Sequence, residues 1–419
     1  MCAQITRAIA CLWPLCLLAG LAQPTLGQTR AHGFGPALEI RVDGQADPIT
    51  LPFRTVNNHV LIDVRANGSD PVTVILDTGM PIEALMLYET PQIEALGLPY
   101  GEMRAQVGGA GGDGKRREAK IAPGIEVGLG PLTLGNMTAL VMEPIPHFYG
   151  YHDGVIGAAL FNHFVVRLDQ DEQHVELYRP ESFRPAEGAI EVPLEQNGGL
   201  PYVEAEVVVA AGGPAVPVRL VVDIGASHAV SLNVTEEGPI TAPARTLRTV
   251  LGKGVSGEIQ GNVGRIAEFR IGGKTLKGVV ATFPDAEHQH PRGMDSRDGN
   301  LGSGILRRFN LAFDYSRNRM WLEPNRHYTE AFDWDMSGIR LRADGEALRV
   351  DAVLPDSPAA AAGIQVDDVI TGIDGEAISA SAQFELRERF RSEEGSKIEI
   401  ELLRDGQKLE RTVKLKRMV

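Results

Sequence analysis

Two aspartates in this chain stand where an ionised carboxylate is hardest to keep. Asp77 closes the apolar run Val72-Thr73-Val74-Ile75-Leu76, and Asp223 closes Val218-Arg219-Leu220-Val221-Val222. Each is followed two places later by a glycine, Gly79 and Gly225. A carboxylate at the end of a buried strand is costly unless hydrogen bonds or a partner stabilise it. A glycine at that distance allows a tight turn whose backbone N–H groups approach the carboxylate. Two such loops brought together set two carboxylates side by side. Like charges about 3 Å apart do not both ionise near neutrality, so the pair shares a proton and acts as general base and general acid on one water. That is the chemistry of amide hydrolysis by a carboxylate dyad.

The elements that must position these residues come in two copies. The run ending Asp77-Thr78-Gly79 is echoed 146 positions later by Asp223-Ile224-Gly225. Asp153-Gly154-Val155-Ile156-Gly157 is echoed by Gly299-Asn300-Leu301-Gly302, and Phe164 to Asp169 by Phe309 to Asp314, both at an offset of 145. Three landmarks in one order at a near-constant offset mark an internal duplication. A glycine-rich segment follows each aspartate, Gly108 to Gly114 and Gly252 to Gly257. Short Val-, Ile- and Leu-rich runs broken by Gly, Pro, Asn and Asp make the chain β-rich through about residue 325. Pro180 to Gly199 and about Asn325 to Met336 read as connections.

Asp77-Thr78-Gly79 after an apolar strand, followed by Val155-Ile156-Gly157, resembles the retropepsin-type aspartic protease unit, the bacterial exported members in particular. The resemblance covers roughly residues 50 to 325 as two fused units. It implies a mainly β fold with two acid-protease lobes in pseudo-twofold arrangement, the first over 35–185 and the second over 190–325. By resemblance Asp77 and Asp223 form the dyad, within active-site loops that include Thr78, Gly79, Ile224 and Gly225. Gly157 and Gly302 then belong to the ψ-loop supports, and Gly109, Gly111, Gly254 and Gly257 to flaps over substrate. The second copy departs from the pattern. Thr78 has the hydroxyl that binds the opposing loop, whereas Ile224 has none, and losing one buried hydrogen bond costs about 0.5 to 1.5 kcal/mol. In the first copy Met80 stands where a small residue usually follows the glycine, while Ala226-Ser227 fits better.

From Ser337 the composition changes to an α+β module of about 80 residues. The run Val350-Asp351-Ala352-Val353-Leu354-Pro355-Asp356-Ser357-Pro358-Ala359-Ala360-Ala361-Ala362-Gly363-Ile364, with Asp368-Val369-Ile370-Thr371-Gly372-Ile373-Asp374-Gly375, closely resembles the PDZ domains of exported bacterial proteases. Ser357-Pro358 starts a short helix, Gly363 ends it, and Asp374-Gly375 turns between strands. The module is expected over 335–418. The resemblance implies a carboxylate-binding loop at Ser337-Gly338-Ile339 and an edge strand, Ile339 to Leu341, that accepts an extended peptide. Asp367 stands where the family usually has glycine, which puts strain on that turn.

The chain has 419 residues and a formal charge of −14 at pH 7, an acidic balance that disfavours nucleic acid and anionic membrane surfaces as partners. Its three cysteines, Cys2, Cys11 and Cys16, fall within a segment laid out as a secretory signal: Arg7, the apolar run Ala8 to Leu21, then small residues to Gly27. Removal of residues 1–27 leaves an exported, periplasmic or secreted chain with no cysteine, no disulfide and no thiolate chemistry. No stable membrane anchor and no cofactor are expected.

Other signals are set aside. Gly109-x-Gly111-x-x-Gly114 lacks the βαβ setting of a dinucleotide fingerprint. His288-Gln289-His290 has no evident third metal ligand, and adjacent Ser227-His228 is not a triad, whose members meet from separate segments. Asn67, Asn136 and Asn233 begin glycosylation sequons, which carry little meaning in the bacterial host that the resemblance implies. The expected function is an aspartic-type endopeptidase acting on polypeptides, with a PDZ groove for peptide C-termini. The rival is a catalytically weak or inactive peptide-binding protein built from the same cleft and groove.

Overall fold

The computed structural model describes residues 37–111, 116–144, 151–236, 238–289 and 296–419. The proposed signal segment with its three cysteines, Gly112 to Gly114 of the first glycine-rich run, and His290 lie outside the described residues.

Each lobe is built on one sheet with the same connectivity. In the first, Gly154–Ile156 lies parallel to Val72–Leu76 and antiparallel to Ala84–Tyr88, which runs parallel to Leu132–Met142. In the second, Gly299–Gly302 lies parallel to Val216–Asp223 and antiparallel to Val230–Leu232, which runs parallel to Lys274–Pro284. His59–Ala66 pairs with both Val72–Leu76 and Arg117–Leu129, and Leu200–Val208 pairs with both Val216–Asp223 and Gly257–Ile271, so each sheet curls into a barrel-like lobe. Val72, Val74, Ile75 and Leu76 are all buried, which is why that strand reads as a continuous apolar run without alternation.

A six-stranded sheet joins the lobes, in the order Ile190–Pro193, Arg319–Pro324, Phe309–Asp314, Val165–Asp169, His174–Tyr178, Ile49–Pro52. At its centre the third sequence landmark pairs with its own duplicate: Val166 opposes Phe313, Arg167 opposes Ala312, and Leu168 opposes Leu311. Arg167 and Ala312 occupy equivalent places in the two repeats, so the pseudo-twofold axis passes between them. Val166, Leu168, Leu311 and Phe313 are buried in a core continuous with both lobes.

Neither connection is loose. Pro180 to Gly199 contributes Ile190–Pro193 to the shared sheet and Glu195–Asn197 to the second lobe. The second connection is gripped by Arg308, which is 1% exposed. Its guanidinium donates to the carbonyls of His327 (3.2 Å), Glu330 and Ala331 (2.9 Å) and packs 3.6 Å from the Phe332 ring centroid. Several carbonyl acceptors replace the water that burial strips from the charge.

The C-terminal module has its own core of Met336, Ile339, Leu341, Leu348, Val350, Ile370, Leu386, Phe390, Ile400 and others. Its strands run Ile339–Asp344, Ala347–Val353, Val369–Ile373, Lys397–Arg404, Gln407–Lys414. The Ser357 side chain caps the helix Pro358–Ala361 by accepting from the Ala360 amide at 3.2 Å. Asp367 has φ +71°, in the left-handed region that glycine would occupy without penalty. The module rests on the lobes. Phe384, on the helix Gln383–Arg389, meets Tyr151 edge to face at 4.5 Å between centroids, and Val419 is buried in the lobe core. Among the described residues no helix is long and apolar enough to cross a membrane.

Candidate active site

Asp77 and Asp223 meet where the two apolar strands end on either side of the pseudo-twofold axis. The carboxyl groups lie against each other: a Cβ added to Gly79 would lie 3.0 Å from Oδ1 of both aspartates. Gly225 is as tightly confined, against the Asp77 carboxyl. Only glycine leaves the carboxylates this close to the backbone, and the Gly79 amide donates to Asp77 Oδ1 at 2.6 Å. Burial pushes the Asp77 carboxyl well above the usual carboxylate range, the Asp223 charge adds to this, and the Gly79 and Gly225 amides oppose it.

The supporting residues converge as well. Thr78 is 2% exposed; its hydroxyl donates to the Val222 carbonyl at 2.7 Å and accepts from the Ile224 amide at 3.0 Å. Ile224 fills the equivalent place from the other lobe as an apolar side chain, 1% exposed within the core. The Ser303 hydroxyl holds its carbonyl at 2.7 Å. Gly157 and Gly302 precede the one-turn helices Ala158–Phe161 and Ser303–Leu306 directly behind the loops. The Ala158 amide bonds the Met80 carbonyl at 3.1 Å and the Ser303 amide bonds the Ala226 carbonyl at 2.8 Å. Met80 is buried in an apolar cluster with Ile75, Met86 and Val155, so its size is used in packing.

The glycine-rich segments meet each other. The Ser256 amide bonds the Ala110 carbonyl at 3.1 Å, and Arg117 Nε donates to the Val255 carbonyl at 2.8 Å. Gly111 packs against the Gly257 backbone and Gly254 against Ala110, while the Gly109 amide reaches Ser256 Oγ at 3.4 Å. Val255 packs on the cluster that holds Met80 and Tyr88.

Several residues at this site carry little or no signal in the sequence. Asn300 donates from Nδ2 to Asp223 Oδ2 at 2.7 Å. Its only signal is an amide at the second place of Gly299-Asn300-Leu301-Gly302, where the first copy has Val155. His59 is buried near Gly225, with Nδ1 2.9 Å from the Tyr151 hydroxyl. Burial, followed by the charge of nearby His152, pushes His59 down to about 3; burial alone dominates in His152, at about 4, and also lowers His228.

In the C-terminal module the expected carboxylate-binding loop is engaged from within. Asp335 Oδ1 accepts from the Ser337 amide at 3.0 Å and the Gly338 amide at 2.6 Å, and the Ile339 amide donates to Ser337 Oγ at 3.0 Å. On the strand edge, Gln383 Nε2 donates to the Leu341 carbonyl at 2.9 Å. The groove residues Gly338, Ile339 and Leu341 are therefore assembled, but with an internal carboxylate in the cradle. Elsewhere, Asp285 and Glu287 approach His288 within 4.8 Å, but Arg248 engages Asp285 through both carboxylate oxygens, at 2.5 and 2.6 Å.

With this geometry in place, the comparisons assign the class. Residues 62–160 and 205–305 match the family model described as aspartyl protease, and residues 337–415 match the PDZ domain. The two lobes thus carry the aspartyl protease match and the C-terminal module the PDZ match. No curated protein matches it. Among solved structures it is similar to the aspartic proteinase from Irpex lacteus, at 14% identity and a TM-score of 0.45, over 68% of this chain and 99% of that one.

Proposed function

We propose that this protein is an aspartic-type endopeptidase of the bacterial periplasm or exterior, hydrolysing polypeptide amide bonds with Asp77, Asp223 and one activated water. The observation that carries the reading is the pair of half-buried carboxylates set against each other, close enough that a Cβ at Gly79 would lie 3.0 Å from Oδ1 of both, with Asp77 raised by burial and by its partner's charge. One carboxylate takes a proton from water while the other, protonated, polarises the scissile carbonyl. The meeting glycine-rich segments supply a cover, and the PDZ domain engages polypeptide, its cradle accepting a peptide C-terminus once Asp335 is displaced.

The rival reading, a peptide-binding protein without appreciable hydrolysis, is favoured by Ile224 alone, and Thr78 by itself makes two interloop bonds there. The test compares cleavage of an unfolded protein by residues 28–419 and by Asp77→Asn and Asp223→Asn, from acid to neutral pH. Cleavage lost in both variants supports the dyad; equal cleavage in all three refutes it. Export is tested separately, by fractionating the producing cells and sequencing the mature N-terminus, expected after Gly27.

A further inference from the structure

The two carboxylates are not supported alike, and the difference lies one strand behind them. Val155 lies opposite Ile75 in the first lobe, and Asn300 opposite Val221 in the second. These are equivalent places in the duplicated unit, but Val155 has no hydrogen-bond donor on its side chain, whereas Asn300 Nδ2 donates to Asp223 Oδ2 at 2.7 Å.

We propose that Asn300 polarises the dyad: its amide holds the negative charge on Asp223 and leaves the shared proton on Asp77, making Asp223 the base and Asp77 the acid. The inference rests on the protease reading of the site. A donor aimed at a carboxylate favours its charged form. Burial and the Asp223 charge favour the protonated form of Asp77, in the same sense. In the hydrolytic step Asp223 accepts a proton from water as the water oxygen bonds to the scissile carbon, and Asp77 gives its proton to the carbonyl oxygen. When the gem-diol collapses, the C–N bond breaks, Asp223 passes its proton to the leaving nitrogen, and Asp77 recovers one from a diol hydroxyl. Both carboxyl groups end as they began.

The titratable groups facing the pair do not reverse this polarity. His228 lies beside Asn300 and His59 beside Gly225, and burial holds both neutral. Burial also raises Tyr88 and Tyr315, which feel the Asp77 charge, and keeps them un-ionised. Arg117 acts on Tyr88 and is tied to the Val255 carbonyl. Asn300 is thus a positioning residue acting through Asp223.

The test is the pH profile of kcat/KM for wild type, Asn300→Val, which installs the first-lobe residue, and the isosteric Asn300→Asp. Without the donor the singly protonated dyad is less favoured, so the acid limb moves up by about one pH unit in Asn300→Val, a tenfold change in the ionisation equilibrium. In Asn300→Asp a third carboxylate moves it further. Limbs that stay in place while the rate falls uniformly would reduce Asn300 to a packing role and overturn the proposal. The protonated-carboxyl infrared band, titrated in wild type and Asn300→Val, needs no turnover. If the wild type cleaves nothing, the protease reading fails, and that titration alone decides: an upward midpoint shift supports the role of Asn300, and an unmoved midpoint rejects it.

Discussion

Thr78 and Ile224 face each other across the pseudo-twofold axis, and only Thr78 has a hydroxyl to bridge it. Its Oγ1 donates to the Val222 carbonyl and accepts from the Ile224 amide, so a single side chain joins the first active-site loop to the strand and loop of the second.

Thr78→Val leaves both partner groups buried without that bond. About 1 to 3 kcal/mol is expected for each unsatisfied group. Urea unfolding should show a loss of at least about 2 kcal/mol, and proteolytic activity should fall at least about tenfold. Ile224→Thr, which adds a hydroxyl in a core position, should leave activity equal or higher; a clear loss would show that the apolar side chain has its own role.

Asp77 supplies a sign test in stability. Its folded-state pKa is raised, so its contribution is fully present below the unfolded value of about 3.9 and is lost as pH rises through the folded value. Asp77→Asn removes the titration. The variant should therefore gain stability over wild type as pH rises from 4 towards 8, by about 2 °C in Tm per kcal/mol. Calorimetry in which the gap stays flat or closes with rising pH would contradict this.

The buried imidazoles work in the opposite direction on acidification. His59, at about 3, and His152, at about 4, bind protons more weakly folded than unfolded, where histidine titrates near 6.5. Between pH 6.5 and 4 the unfolded chain binds more protons, so stability falls as pH falls, by up to about 1.4 kcal/mol per histidine per unit. His59→Gln should flatten that slope in acid unfolding curves. The same variant removes the bond from His59 to the Tyr151 hydroxyl, whose ring meets Phe384 of the PDZ domain, so its cleavage rate measures how far that contact matters to the dyad.

Asp335 fills the amide cradle of the PDZ domain, and burial raises its carboxyl. Asp335→Ala should bind a peptide ending in a free apolar residue at least about tenfold more tightly than wild type. An amidated peptide should gain nothing. Fluorescence anisotropy with both peptides distinguishes an opened cradle from a general loosening, in which both would bind alike.

The duplication, the two strand-ending aspartates and the PDZ run were legible in the sequence because each is a local pattern. Apolar runs, glycines at fixed offsets and a helix cap are dictated by neighbours along the chain. The departure at Ile224 was equally visible, but not its outcome, since whether a missing hydroxyl matters depends on what lies across the axis. Asn300 stands in the sequence only as one letter of the second landmark; the register of Gly299–Gly302 against Val216–Asp223 is what turns its amide onto a carboxylate. His59 and Tyr151, 92 residues apart, gave no sequence signal at all. The sequence by itself determined the two lobes, the pair of acids and the appended domain, since hydrophobic periodicity and turn chemistry are short-range. Only the tertiary structure decided how the pair is polarised, that the PDZ cradle holds its own carboxylate, and that Arg308 grips the connecting segment. Those outcomes depend on hydrogen-bond geometry and burial between residues far apart in the chain, which spacing does not encode.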